Sequence, residues 1–293
     1  MCKFVALRVS IAYVCAAPTF AVAHGGVSWD AAPSDSLLVL LPLLAGTALY
    51  IAGMRRRGFD RLTLRRAAWA TRFCAGIALL VAALVWPLDA WAELSFSAHM
   101  AQHMVLIALA PPLLLLGRAG AVWLHALPRN WRPVVINMRD WPGVTGVRRL
   151  LGSLAAVSLF HGAVLWGWHA PAAFELALRH DVVHWAEHMT LLAAGILFWR
   201  ALLRARGTAL GSALVWMLVT VIHSGMLGAL ITLAPQPLYR IYIERGGVVD
   251  VLADQQLAGL IMWVPMGTIY LIGALMIAAR NFREQDTRLN ACQ

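Results

Sequence analysis

Charge is scarce in this sequence. Only 13% of its 293 residues are Asp, Glu, Lys or Arg, against about 25% in soluble domains. Hydrophobic residues make up 61% and mean hydropathy is +0.71. That excludes a water-soluble globular chain and leaves an integral membrane protein. Cysteine is rarer still. Cys2 and Cys15 fall in the first 23 residues, Cys74 near a predicted helix end, and Cys292 is penultimate. No cysteine is left in a predicted outer loop, so neither a disulfide framework nor a C-x-x-C metal site is available. Alternating ten-residue segments are missing, which argues against a barrel. The sequence also lacks a P-loop, a G-x-S-x-G elbow, a dinucleotide fingerprint, and a nucleophile with a placed base, so nothing marks it as an enzyme. Internal repeats, low-complexity tracts and an interdomain linker are absent as well.

What the chain has is long apolar runs. The first residues, MCKFVALRVS, carry Lys3 and Arg8, an apolar stretch follows, and AVA at 21–23 forms an A-x-A pattern before His24. Residues 1–23 therefore read as a signal peptide and 24–35 as an outer N-terminal segment. Seven runs long enough to cross a bilayer follow, at about 36–53, 69–88, 98–117, 150–168, 182–203, 209–232 and 255–279, each near the ~20 residues a helix needs. The expected fold is all-α: a polytopic transmembrane bundle over residues 36–280, with a tail at 281–293. Unbroken apolar runs can satisfy their own backbone in lipid only as helices.

The arginines orient it. With the mature N-terminus outside, nineteen arginines fall in the inner segments and only Arg179, Arg240 and Arg245 outside. The positive-inside rule then places the C-terminus in the cytoplasm. The same bias accounts for the net charge of +10 without nucleic acid. The loop from Gly117 to Arg149, rich in Arg, Trp and Pro, is expected to lie at the lipid headgroups on the inner side. Pro111 and Pro112 should kink the third span.

Histidines gather on the other side. Of ten, only His125 falls on the inner side. The segments HMAQHM (99–104) and HWAEHM (184–189) each carry two imidazoles four residues apart, on one helix face and separated by about 6 Å in depth. His161, His169 and His223 lie on neighbouring spans or at their exits, Glu187 and Asp254 add carboxylates, and Met100, Met104, Met189, Met226 and Met262 add thioethers. Imidazole with thioether suits copper, above all Cu(I), better than hard cations, while zinc and haem are weaker fits. Single interfacial histidines such as His24, His125 and His180 are ordinarily hydrogen-bonded amphipathic side chains, and methionines at helical spacing are more often filler than ligands. Polar groups held at membrane depth on several spans are a different matter, because each is costly without a partner.

The motifs HMAQHMVLIALAPPLLLLG, WGWHAPAAFELAL, HWAEHMTLLAAGILFW, PLYRIY and ADQQLAGLIMWVP together resemble the membrane family of cytochrome c oxidase assembly factors of the CtaG type, associated with caa3 oxidases. The likeness runs from about residue 36 to 280. It implies a seven-helix protein needed for oxidase maturation, with copper delivery to an oxidase subunit as its task and a periplasmic copper carrier as a further partner. Carried onto this chain, the motif histidines are His99, His103, His169, His184 and His188, followed by Asp254, Gln255 and Gln256. Met266 and Arg200 depart from the pattern, both away from the histidines. The expected metal set is His99, His103, His184, His188, His169, His161 and His223, with Met104, Met189 and Asp254. His99 and His184 would capture the ion, and His103 and His188 would hold it one turn deeper. The alternative is a membrane electron carrier for haem b or quinone, with His103 and His188 as the haem couple.

Overall fold

The computed structural model describes residues 33–56, 64–138 and 142–291. The expected signal peptide, with His24, lies outside the described residues. Among the described residues every regular element is helical. Among the described residues six helices are long and apolar enough to cross a membrane, and a seventh span is completed if a bent pair is counted as one.

The chain opens with α1 (Pro33–Arg56) and α2 (Leu64–Leu84), then a short α3 (Leu88–Ala92). The third span is three pieces in line: α4 (Phe96–Met104), a π-helical turn at Val105–Leu109, and α5 (Ala110–Leu116). The kink expected from Pro111 and Pro112 takes this form because Pro111 has no N–H to give the Ile107 carbonyl. Instead the Ala110 N–H reaches back five residues to the Val105 carbonyl. The loop expected at the headgroups is itself helical, with α6 (Ala119–Ala126), α7 (Trp131–Asn137) and α8 (Pro142–Gly152). On α7, Trp131, Val134, Val135 and Ile136 are exposed, as a helix lying in an interface requires.

The fourth span begins later than its apolar run suggests. Ser153 takes the N–H of Ala156 on its side chain and starts α9 (Leu154–Trp168) afresh, bent by 79° from α8. Next come α10 (Pro171–Arg179), α11 (Asp181–Arg204), α12 (Ala209–Leu233), α13 (Arg240–Arg245) and α14 (Val251–Ala291). The last is one continuous helix that takes in most of the expected tail. It packs along α12, where Gly228 and Gly259 let two backbones meet: a Cβ built on Gly228 would lie 2.8 Å from the Gly259 carbonyl. Small residues at such crossings let dispersion and weak backbone contacts replace the missing hydrophobic drive between helices in lipid.

Two contacts hold the third span, which carries His99 and His103, in place. The first is at Gly195 on α11, where a Cβ would stand 2.5 Å from the Ile107 oxygen and 2.8 Å from Pro111 Cγ. The carbonyl released by Pro111 is thus covered by the bare backbone of α11. The second is Asp254, at the start of α14. Its carboxylate accepts from Ser95 Oγ at 2.8 Å, from the Phe96 N–H at 2.6 Å, and from Ser97 through both its hydroxyl and its N–H. These are the free donors at the N-terminus of α4, where a negative charge also meets the positive end of the helix dipole. Asp254→Ala is expected to destabilise the protein by about 1.5–3 kcal/mol, the usual loss for hydrogen bonds to a charged group. Asp254→Asn should lose less, since its amide oxygen still accepts. Thermal unfolding in detergent measures both, and an unchanged midpoint for the alanine variant would contradict the assignment.

Candidate metal centre

The site is assembled from α4 and α11. Residues four apart share a helix face, so each helix offers two imidazoles to the same crossing. One donor atom from each of His99, His184, Glu187 and His188 lies within 4.8 Å of the others. The His99 and His184 rings stack at 5.3 Å, and His99 and His188 stand 5.8 Å apart. His103, one turn deeper on α4, joins them: its Nε2 is 2.9 Å from His99 Nε2 and 3.4 Å from Glu187 Oε1. His99 and Glu187 are fully buried, and His103 and His188 nearly so.

Burial without partners is the feature that stands out chemically. His99 Nδ1, His103 Nδ1, His184 Nε2, His188 Nε2 and both Glu187 oxygens are buried with no hydrogen-bond partner. An unsatisfied buried polar atom costs about 1–3 kcal/mol, more when charged, and buried polar groups are otherwise almost always satisfied. Six such atoms at one crossing fit a cation-binding cage. Ligands held tetrahedrally at ~2.0–2.1 Å from one ion stand about 3.4 Å apart, so side-chain shifts of roughly an ångström would close it.

The surroundings hold these rings in place. Phe174 of α10 lies 5.0 Å from the His99 ring, edge-on to Phe96 at 5.2 Å, with Tyr239 packed against both rings. Tyr239 donates its hydroxyl to the His169 carbonyl at 2.8 Å, and Tyr242 donates to the Ala92 carbonyl at 3.2 Å. Burial raises both phenols above their ordinary pKa, with Glu187 reinforcing the shift, so they stay protonated donors. Trp168 ties the end of α9 to α11 by donating to Thr190 Oγ1 at 2.8 Å. Gln255 ties α14 to the segment after α12, accepting from the Leu238 N–H at 2.6 Å. A cavity of about 220 Å³ leads to the cluster, lined by His99, His184 and His188 together with Asp89, Glu93, Asp181 and Arg245. Three carboxylates on this path favour cations over anions.

The other expected ligands lie in different places. His169 caps α9, with its Nδ1 2.6 Å from the Leu165 carbonyl and its Nε2 3.2 Å from Met100 Sδ. Its ring is 5.4 Å from that of His103. Burial pushes its pKa down to about 4, against the opposing pull of the Leu165 carbonyl. His161 belongs to a separate group: Nε2 meets the Tyr270 hydroxyl at 2.9 Å, and the ring packs 4.7 Å from Phe198. His223 receives the Trp166 indole N–H on Nδ1 at 3.4 Å, its ring 6.3 Å from that of His161. Met104 is buried in the apolar core, whereas Met189 is 42% exposed at the wall of the 220 Å³ cavity. Asp254 is engaged at the start of α4, apart from the cluster. Glu187 and Met100, in contrast, enter the site although neither was among the expected ligands. Their signal was present: Glu187 is three residues from His184, and Met100 three from His103, each pair on one helix face.

Fold and site together define a polytopic helical membrane protein with a buried imidazole and carboxylate cluster between two spans. Residues 48–284 match the family model of the cytochrome c oxidase caa3 assembly factor, Caa3_CtaG, and the chain belongs to that family. No curated protein and no solved structure matches it. Membership makes cytochrome c oxidase its partner in assembly.

Proposed function

We propose that the protein binds one copper ion, as Cu(I), in the cage between α4 and α11 and delivers it to the oxidase during assembly. The observation that carries this reading is the convergence of His99, His184, His188 and Glu187 donor atoms within 4.8 Å, buried and unsatisfied. His103 serves as the deeper ligand. The copper is cargo, so the site must release it, and neutral imidazoles around an accessible cavity exchange more readily than a closed thiolate cage. The donors face the side that the arginine bias assigns to the outside, where a periplasmic copper carrier could load them. A haem coupled to His103 and His188 fits less well, because His103 Nε2 faces His99 Nε2 at 2.9 Å and Glu187 Oε1 at 3.4 Å, where the macrocycle would have to sit.

The test is made on the oxidase. Purified from cells in which His103→Ala and His188→Ala are combined in this protein, the oxidase is expected to show a copper-to-haem ratio at least tenfold below that obtained with the wild-type protein. An unchanged ratio would overturn the proposed delivery role.

A further inference from the structure

The contact between His169 and Met100 is chemically unusual. A carbonyl oxygen can only accept, so the 2.6 Å contact of His169 Nδ1 with the Leu165 carbonyl places the ring's proton on Nδ1. In the neutral ring Nε2 then carries a lone pair and no hydrogen. That lone pair faces Met100 Sδ at 3.2 Å, and a thioether has no hydrogen to offer. Both side chains are buried, Met100 at 0% and His169 at 4% exposure, and among the described residues no carboxylate pairs with His169 to favour an imidazolium. Two bare donors, one nitrogen and one sulfur, therefore point at each other in a dry interior. A cation bound between them satisfies both.

The separation suits a soft ion. With a metal–nitrogen bond of ~2.0 Å and a metal–sulfur bond of ~2.3 Å, donors 3.2 Å apart subtend an angle near 95° at the ion, so a modest turn of the Met100 side chain away from the ring opens the pair to the ~120° of a three-coordinate d¹⁰ site. His103 is placed to share it. Its ring lies 5.4 Å from that of His169. Its Nε2 faces His99 and Glu187, while its Nδ1 is buried and unpartnered.

We infer that His169 Nε2, Met100 Sδ and His103 form a second station, selective for a soft monovalent ion, beside the His99, His184, Glu187 and His188 cage. It rests on the copper reading above and refines it: His103 is the hinge ligand through which the ion passes from the harder cage to the softer pair by ligand exchange. Divalent zinc, which the His and Glu cage would also accept, is disfavoured at the thioether. The second station thus sorts the cargo by softness.

The test uses the full chain in detergent, with Ag(I) as a redox-inert stand-in for Cu(I) and Zn(II) as the hard comparison. Met100→Leu nearly conserves volume, so the fold should hold. Its Ag(I) affinity is expected to fall at least tenfold, while Zn(II) affinity changes by less than about twofold. X-ray absorption on the protein loaded with one equivalent of Cu(I) should show a sulfur neighbour that vanishes in Met100→Leu and persists in Met104→Leu. Copper bound with no sulfur neighbour, or a sulfur signal that survives Met100→Leu, overturns the second station and leaves the first cage standing. Failure of the wild-type chain to bind Cu(I), Ag(I) or Zn(II) overturns both.

Discussion

Replacing His99 and His188 together by leucine is expected to weaken metal binding in the cage between α4 and α11 by about 10³-fold or more while leaving the metal-free protein as stable as before, or more so. The first half follows from the number of ligands removed. Loss of even an outer-shell partner typically costs ~10–100-fold in metal affinity, and in the proposed cage these two residues would touch the ion, one from each span. The second half follows from what the rings do without metal. His99 Nδ1 and His188 Nε2 are buried and unpartnered, so leucine, with a similar volume, removes a desolvation penalty of ~1–3 kcal/mol per group. Histidines retained for packing would behave the opposite way, losing stability and leaving copper untouched. Isothermal titration under anaerobic conditions, paired with thermal unfolding of the apo-protein, reads both signs in one pair of samples.

The second large effect is at a residue with no side chain. Gly195→Val is expected to destabilise the protein by about 3 kcal/mol, at the upper end of the usual overpacking cost, and to impair copper binding although no ligand is changed. A Cβ at this position would meet the Ile107 oxygen at 2.5 Å, its carbonyl carbon at 3.0 Å and Pro111 Cγ at 2.8 Å. Two of these atoms are backbone and the third belongs to a rigid ring, so none can swing aside. The helices must separate, and the cage they form opens with them. Gly211, with nothing within 4 Å of its Cβ, is the control: Gly211→Val should change neither the unfolding midpoint nor the copper affinity appreciably. Equal behaviour of the two variants would contradict the view that this crossing sets the site.

The spans were legible in the sequence because lipid leaves a long apolar run no choice but a helix. The two histidine pairs were legible because spacing of four fixes a common face whatever the tertiary structure. Which helices meet is not encoded so locally. Asp254 could have been a ligand or a cap on composition alone; only the position of Ser95 and Ser97 against the start of α14 makes it a cap. Met100 and Met104 share a face of α4, and nothing in HMAQHM says which sulfur meets His169. The answer comes from the end of α9, where the Leu165 carbonyl fixes the ring. His161 and His223 are at similar depth in their own spans, yet Tyr270 and Trp166 hold them in a group of their own. Pro111 foretold a break in the third span. It could not foretell that Gly195 would cover the freed carbonyl, because that pairing spans some eighty residues of chain.

The central claim, that α4 and α11 close one copper cage, is tested most directly by metal content. The full chain, purified without chelators and loaded anaerobically with excess Cu(I), should retain about one tightly held copper per molecule after desalting and show no Soret band. The variant combining His103→Ala, which removes the ligand shared by both stations, with His188→Ala should retain almost none. Equal copper in the two samples, or none in the wild-type protein, would contradict the account.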